Sequence, residues 1–228
     1  DEALIVDRVV RWAAGRGDRL LRSELRGQLA RLSREVTTVW GDEMAARLAV
    51  GLEAWAERAA RPGAHVCLLA RSRAREHVFL RVASRGTPRG VAEPLERLSA
   101  RFDGDELTWP PNETFRLYGP GGLEDRRFAM AGAAVPLGVA GSDSLGGHLV
   151  LLDSGPLRPR ELRLLRHAAR DLSVVVHGEM LRQEWQFQSG VFRHAMRAPM
   201  QGLTSTAMSA VRHLRRGTTD TSVHDELR

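Results

Sequence analysis

The chain predicts an α/β protein of the α+β kind: an antiparallel sheet flanked by helices, with a long C-terminal helix that leads into a helical-hairpin module. Three observations carry this. Apolar residues recur at helical spacing up to residue 60, short β-rich runs separated by turn residues follow up to residue 152, and a helical period then returns and runs almost to the end of the chain.

The elements follow in order. Residues 2–13 place Leu4, Val6, Val9, Val10, Trp12 and Ala13 at helical spacing, and beyond Gly15-Arg16-Gly17 residues 18–37 read as a second amphipathic helix through Leu20, Leu21, Leu25, Leu29 and Leu32. Asp42 is suited to start a helix over 43–60, with Met44, Leu48, Leu52 and Trp55 on the buried face. Arg61-Pro62-Gly63 ends it. Residues 64–70 and 76–84 read as a hairpin joined by 71–75, and a helix covers 91–102, where Pro94 fits only the first turn. Asp103 to Arg127 is rich in Pro, Gly, Asn and charge and reads as a long loop with one short strand near Phe115–Leu117. Strands are expected at 128–137 and 147–152 around the glycine-rich turn 138–146. Pro156 and Pro159 then introduce a helix whose stripe is Leu162, Leu165, Ala169, Leu172, Val176, Met180 and Leu181. The chain thus divides into an N-terminal helical segment (1–39), an α+β domain (40–180) and a C-terminal helical module (181–228), with a turn at 217–221 and the start of a second helix at Ser222.

Composition excludes several function classes. All 34 basic residues are arginine, and the net charge is only +6. The arginines interleave with acids, as in Glu161-Leu162-Arg163, which describes a solvated helix face more than a nucleic-acid footprint. Aromatic residues are 5% of the chain and are not interleaved with a basic patch, so base stacking has little support. Cys67 is the single cysteine and lies in an apolar run, so no intrachain disulfide can form. No stretch approaches the roughly 20 apolar residues of a membrane span, and a cytoplasmic location is the default expectation. The start without Met and the stop in a charged segment suggest a piece of a longer protein. Histidines lack metal-ligand spacing, the glycines at 119–122 are not followed by Lys and Ser/Thr, and Ser142 and Ser144 lack a nucleophile-elbow context.

The most informative stretch is Phe192-Arg193-His194-Ala195-Met196-Arg197-Ala198-Pro199-Met200. At 100° per residue, Phe192, Met196, Pro199, Met200 and Leu203 stand about 160°, 200°, 140°, 240° and 180° from His194. The histidine therefore opposes a seam of the kind that packs against partner helices, and faces water. Pro199 removes a backbone donor and crowds the carbonyl of Ala195, so a bend is expected just beyond the histidine.

This run resembles the H-box of two-component sensor histidine kinases. The resemblance implies that His194 is the phospho-acceptor, with Arg197 and Pro199 as accompanying site residues, in a homodimer that serves a response regulator. A neutral imidazole is nucleophilic near neutral pH, which suits the role. Two positions depart from the family: Ala195 stands where an acid usually follows the histidine, and Ala198 where a Thr or Asn orients water in members that also dephosphorylate.

The order of elements over residues 40–180, with Ala134-Val135-Pro136-Leu137 and Gly147 to Leu152 before the helix at Pro159, resembles a GAF domain. That likeness implies a sensor with a small-molecule pocket, lined here by Leu98, Phe102, Trp109, Phe115 and Tyr118. A few GAF sensors hold haem through histidine, but for His65, His77 and His148 a satisfied or surface histidine is the expectation. No cofactor is expected in this chain, and ATP with Mg belongs to the family's catalytic domain. The alternative is a non-catalytic GAF-containing dimeric regulator whose last helix only couples or assembles.

Overall fold

The structure is a computed structural model that describes residues 19–21, 23–32, 42–84, 86–88 and 90–225. The helix expected at 2–13 lies outside the described residues, as do 33–37 of the second helix. Residues 23–32 are helical (α1), followed by α2 (Asp42–Ala59), β1 (His65–Ser72), β2 (His77–Ala83), α3 (Ala92–Arg101), β3 (Leu107–Trp109), β4 (Glu113–Gly119), β5 (Gly122–Phe128), β6 (Ala131–Pro136), β7 (Leu145–Asp153) and α4 (Pro159–Asp225). The chain divides into two compact units, Asp1–Met180 and Leu181–Arg228.

In the first unit five strands form a sheet in the order β2-β1-β7-β6-β3, every neighbouring pair antiparallel. Side chains alternate across a strand, and here each parity enters its own core. Val66, Leu68 and Ala70 of β1, with Ala133, Val135, Leu149 and Leu151, join Leu48, Leu52 and Trp55 of α2 and Leu165, Leu172 and Val176 of α4. Cys67 and Leu69, with Ala134, Val150 and Leu152, join Leu95 and Leu98 of α3 and the aromatic residues Trp109 and Phe128. Since both faces are covered, all nine residues of β7 are buried, which explains the apolar run Leu149 to Leu152.

The long loop expected from Asp103 to Arg127 is a correction. It holds β3 and the hairpin β4–β5, registered from Glu113↔Phe128 to Gly119↔Gly122. Between the two hairpin strands only Pro120-Gly121 is turn. The hairpin is a separate two-stranded sheet, and Leu117 anchors it in the second core. Pro94 lies in the first turn of α3, where its missing N–H costs no helical bond.

Two glycines are fixed by close approach. Gly147, at φ 102°, would place a Cβ 2.0 Å from the Leu69 carbonyl oxygen. Gly132 is the cross-strand partner of Trp109 and lies under its ring, where a Cβ would come 2.1 Å from the indole.

In the second unit the backbone is helical through Asp225. The turn expected at 217–221, and with it a second helix beginning at Ser222, is therefore replaced by continued helix. The Gly217-Thr218-Thr219 signal is a propensity argument of about 1 kcal/mol for the glycine, small enough for local context to override.

Candidate functional site

Two regions carry the expected site residues. The first is the helix of the second unit. His194 is exposed there, and so are Arg197 and Pro199. The large apolar residues on the opposite arc, Phe192, Met196, Met200 and Leu203, are exposed as well, so one copy of the chain leaves the seam uncovered. Thr204 and Thr206 donate to the carbonyls of Met200 (2.8 Å) and Gly202 (2.9 Å), and Arg193 Nε donates to Ser189 O (3.4 Å), which turns those side chains onto their own helix. Arg197 lines a shallow surface strip with Gln201, Thr204 and Ser205. No Asp or Glu occurs between Glu184 and Asp220. The departure at Ala195 is thus part of a longer carboxylate-free run, a signal legible in the sequence by counting charges over the whole helix.

The second region is the α3 side of the sheet. Leu98, Phe102, Trp109 and Phe115 are brought together with Phe128, which sequence reasoning missed. Phe115 meets Phe102, Trp109 and Phe128 at ring-centroid distances of 6.3, 5.9 and 5.6 Å, each close to edge-to-face, the geometry favoured by the ring quadrupoles. The indole N–H of Trp109 donates to Met130 O at 3.1 Å. These residues pack on one another. Tyr118 is not among them: β4 alternates, Phe115 and Leu117 face inward, and Tyr118 faces out, 76% exposed, opposite Leu123.

A cavity of about 320 Å³ lies beside this cluster, at the small end of the range for ligand pockets. Its walls include Val91 and Pro94 at the start of α3, Phe128 and Met130 at the β5–β6 turn, and Leu152 of β7, with Arg126 and Arg127 among the lining residues. None of these residues belongs to a run that marks a pocket in the sequence.

No family model matches the chain, and no curated protein does. Among solved structures the chain is similar to the GAF domain from an Acinetobacter phosphoenolpyruvate-protein phosphotransferase, at 13% identity and a TM-score of 0.38, over 68% of this chain and 93% of that one.

A polar network holds α3 and the following loop to β7. His148 is fully buried, its Nε2 2.8 Å from Asp105 O and its Nδ1 2.7 Å from Ser99 Oγ. A carbonyl only accepts, which places the proton on Nε2, so Nδ1 accepts from the Ser99 hydroxyl. Burial lowers the pKa of this ring, and the ring is a satisfied neutral histidine. Asp103 accepts from Arg71 (3.0 Å), Arg73 (2.9 Å) and the Gly147 N–H (2.8 Å). Burial alone would raise its carboxyl pKa; the Gly147 and Arg73 hydrogen bonds outweigh it and hold it below the usual range. His65 is half-buried and His77 exposed on their strands. Among the described residues no group of three or more His, Cys, Asp or Glu is placed to hold a metal ion, and no helix is long and apolar enough to cross a membrane.

Proposed function

We propose that this chain is the sensing and phospho-acceptor portion of a two-component sensor histidine kinase, with residues 40–180 as a GAF-like sensor and His194 as the acceptor. The observation that carries the reading is the exposed imidazole of His194 on a helix whose opposite arc presents Phe192, Met196, Met200 and Leu203. Paired with a second copy, that arc is covered while the histidine stays open to a visiting nucleotide domain. The unprotonated ring nitrogen attacks the γ-phosphorus of ATP, an N–P bond forms as the bond to the β-phosphate oxygen breaks, ADP leaves, and the other ring nitrogen sheds its proton. With no carboxylate between Glu184 and Asp220, the base that takes this proton comes from elsewhere in the protein, from another subunit or from solvent. A response regulator is the onward acceptor, and the cavity beside Phe128 is the place for a small sensed molecule.

The test supplies a histidine-kinase ATP-binding domain, fused or in trans, with radiolabelled ATP. Acid-labile phosphate is expected on the wild type and absent from His194→Gln; label that persists in the variant ends the assignment. A second reading, a dimeric regulator without phosphotransfer, is favoured by Ala195 and Ala198. It predicts an unlabelled wild type whose dimer is intact.

A further inference from the structure

The end of α2, the end of β7 and the start of α4 meet at one ion cluster with two buried carboxylates and a half-buried arginine. Arg61 follows α2 and donates through Nη2 to Pro156 O at 2.9 Å. Its Nε stands 3.9 Å from Asp153 Oδ2 and also 3.9 Å from Glu161 Oε1. Both carboxylates are at least 96% buried. Asp153 closes β7, and its other oxygen accepts from Ser154 Oγ and Gly155 N, both at 3.3 Å. Glu161 belongs to the first turn of α4; its Oε2 accepts the backbone N–H of Arg158 at 2.6 Å, a capping interaction, and the exposed Arg158 Nε approaches Oε1 at 3.9 Å.

The cluster is left incompletely paired. Arg61 Nε and Asp153 Oδ2 are buried atoms without a hydrogen-bond partner, each an expensive condition, and 3.9 Å is beyond hydrogen-bond reach. The cation is equidistant from a carboxylate fixed to the sheet and a carboxylate fixed to the helix. A shift of about 1 Å would complete a charge-assisted bond to either one; a shift to Glu161 leaves Asp153 Oδ2 unpaired, whereas Glu161 keeps the Arg158 N–H on Oε2 in either position.

We propose that Arg61 is a two-position switch: engaged with Glu161 it tightens the first turns of α4 against the domain, and engaged with Asp153 it releases them. Resting on the reading of α4 as the output helix, the switch gives the sensor a place to act on that helix without a bound group at the corner itself. Two discrete pairings sharing one cation form the kind of bistable contact that a small displacement can bias.

Native-state hydrogen exchange of the intact chain tests this, read on the amides of residues 162–168 of α4, with 66–70 of β1 as reference. Asp153→Asn leaves Arg61 with Glu161 alone and is expected to slow exchange at 162–168. Glu161→Gln keeps the capping acceptor but removes the charge, and is expected to speed it, by about tenfold relative to Asp153→Asn. Adding Arg61→Gln to either variant abolishes the difference. A plain structural role predicts acceleration in both, so shifts of the same sign, or no shift, overturn the switch. If Asp153→Asn does not fold, Asp153→Ser takes its place and is read the same way: exchange at 162–168 must slow relative to 66–70, and acceleration overturns the proposal. None of these readouts involves nucleotide or phosphate, so the switch can fail while His194 is phosphorylated, and hold while it is not.

Discussion

Ser99 Oγ donates to His148 Nδ1 at 2.7 Å, joining the last turn of α3 to the central strand β7 through a neutral imidazole. Because burial holds the His148 pKa below its ordinary value, the unfolded chain binds the proton first as pH falls. Stability supplied by the neutral ring is therefore complete above about pH 6.5 and declines as pH drops from there through the lowered folded value. Thermal melts between pH 7.5 and 5 are expected to show a steeper loss for the wild type than for His148→Gln. The variant should also be less stable at pH 7.5 by about 1–3 kcal/mol, the cost of disturbing a buried hydrogen-bonded pair. Parallel pH profiles would remove His148 from this role.

Gly132 and Trp109 form the second testable pair. The indole ring occupies the space above the glycine, so Gly132→Ala must displace the ring or bend β6. Displacement would break the Trp109–Met130 bond and the contacts with Phe115 and Phe128. Overpacking of this kind costs about 1–3 kcal/mol. Chemical denaturation followed by tryptophan fluorescence should show a lower midpoint and a red-shifted native spectrum. Trp109→Ala, which empties the site, is expected to cost about 3–5 kcal/mol.

Cys67 offers a third check, on the packing of β1. Burial pushes its thiol up to about 11, against a hydrogen bond with Thr87 that pulls the other way. The thiolate, which is the reactive form, is then scarce at pH 8. Alkylation by iodoacetamide should be slow in the folded protein and rise to the rate of a free cysteine in denaturant. Rapid modification of folded chain would mean that the α3 side of β1 opens readily.

The sheet was legible because Val66 to Ala70 of β1 and Leu149 to Leu152 of β7 are unbroken apolar runs, the pattern of a strand covered on both faces. The β4–β5 hairpin was not. Its second strand, Gly-Leu-Glu-Asp-Arg-Arg-Phe, carries charge on both faces because it belongs to a separate two-stranded sheet and buries little beyond Phe128. Missing that strand cost the parity of Tyr118: in a loop, positions 115 and 118 are free to converge, whereas a strand sends them to opposite faces. The cavity beside Phe128 was illegible for another reason, since its walls come from 88–94, 126–130 and Leu152, segments that only the folded chain brings together. His194 lies at the other extreme, with its helix and exposure read from a single run of residues.

A second copy of the chain is expected to cover the apolar arc of the C-terminal helix. Phe192 is 65% and Leu203 67% exposed in one copy of the chain. Completely burying a side chain of this size contributes about 1.5–3 kcal/mol, so several such positions on one helix supply a strong drive to associate. A second copy offers the same arc in the same register, which is the simplest complementary surface. Sedimentation of the intact chain is expected to show a dimer at micromolar concentration, shifted to monomer by Leu203→Arg or Phe192→Glu. His194→Gln, on the opposite arc, should leave the dimer intact and separate assembly from chemistry. A wild-type chain that stays monomeric at tens of micromolar would mean that the arc belongs to a different partner, and that the acceptor helix as proposed does not assemble by itself.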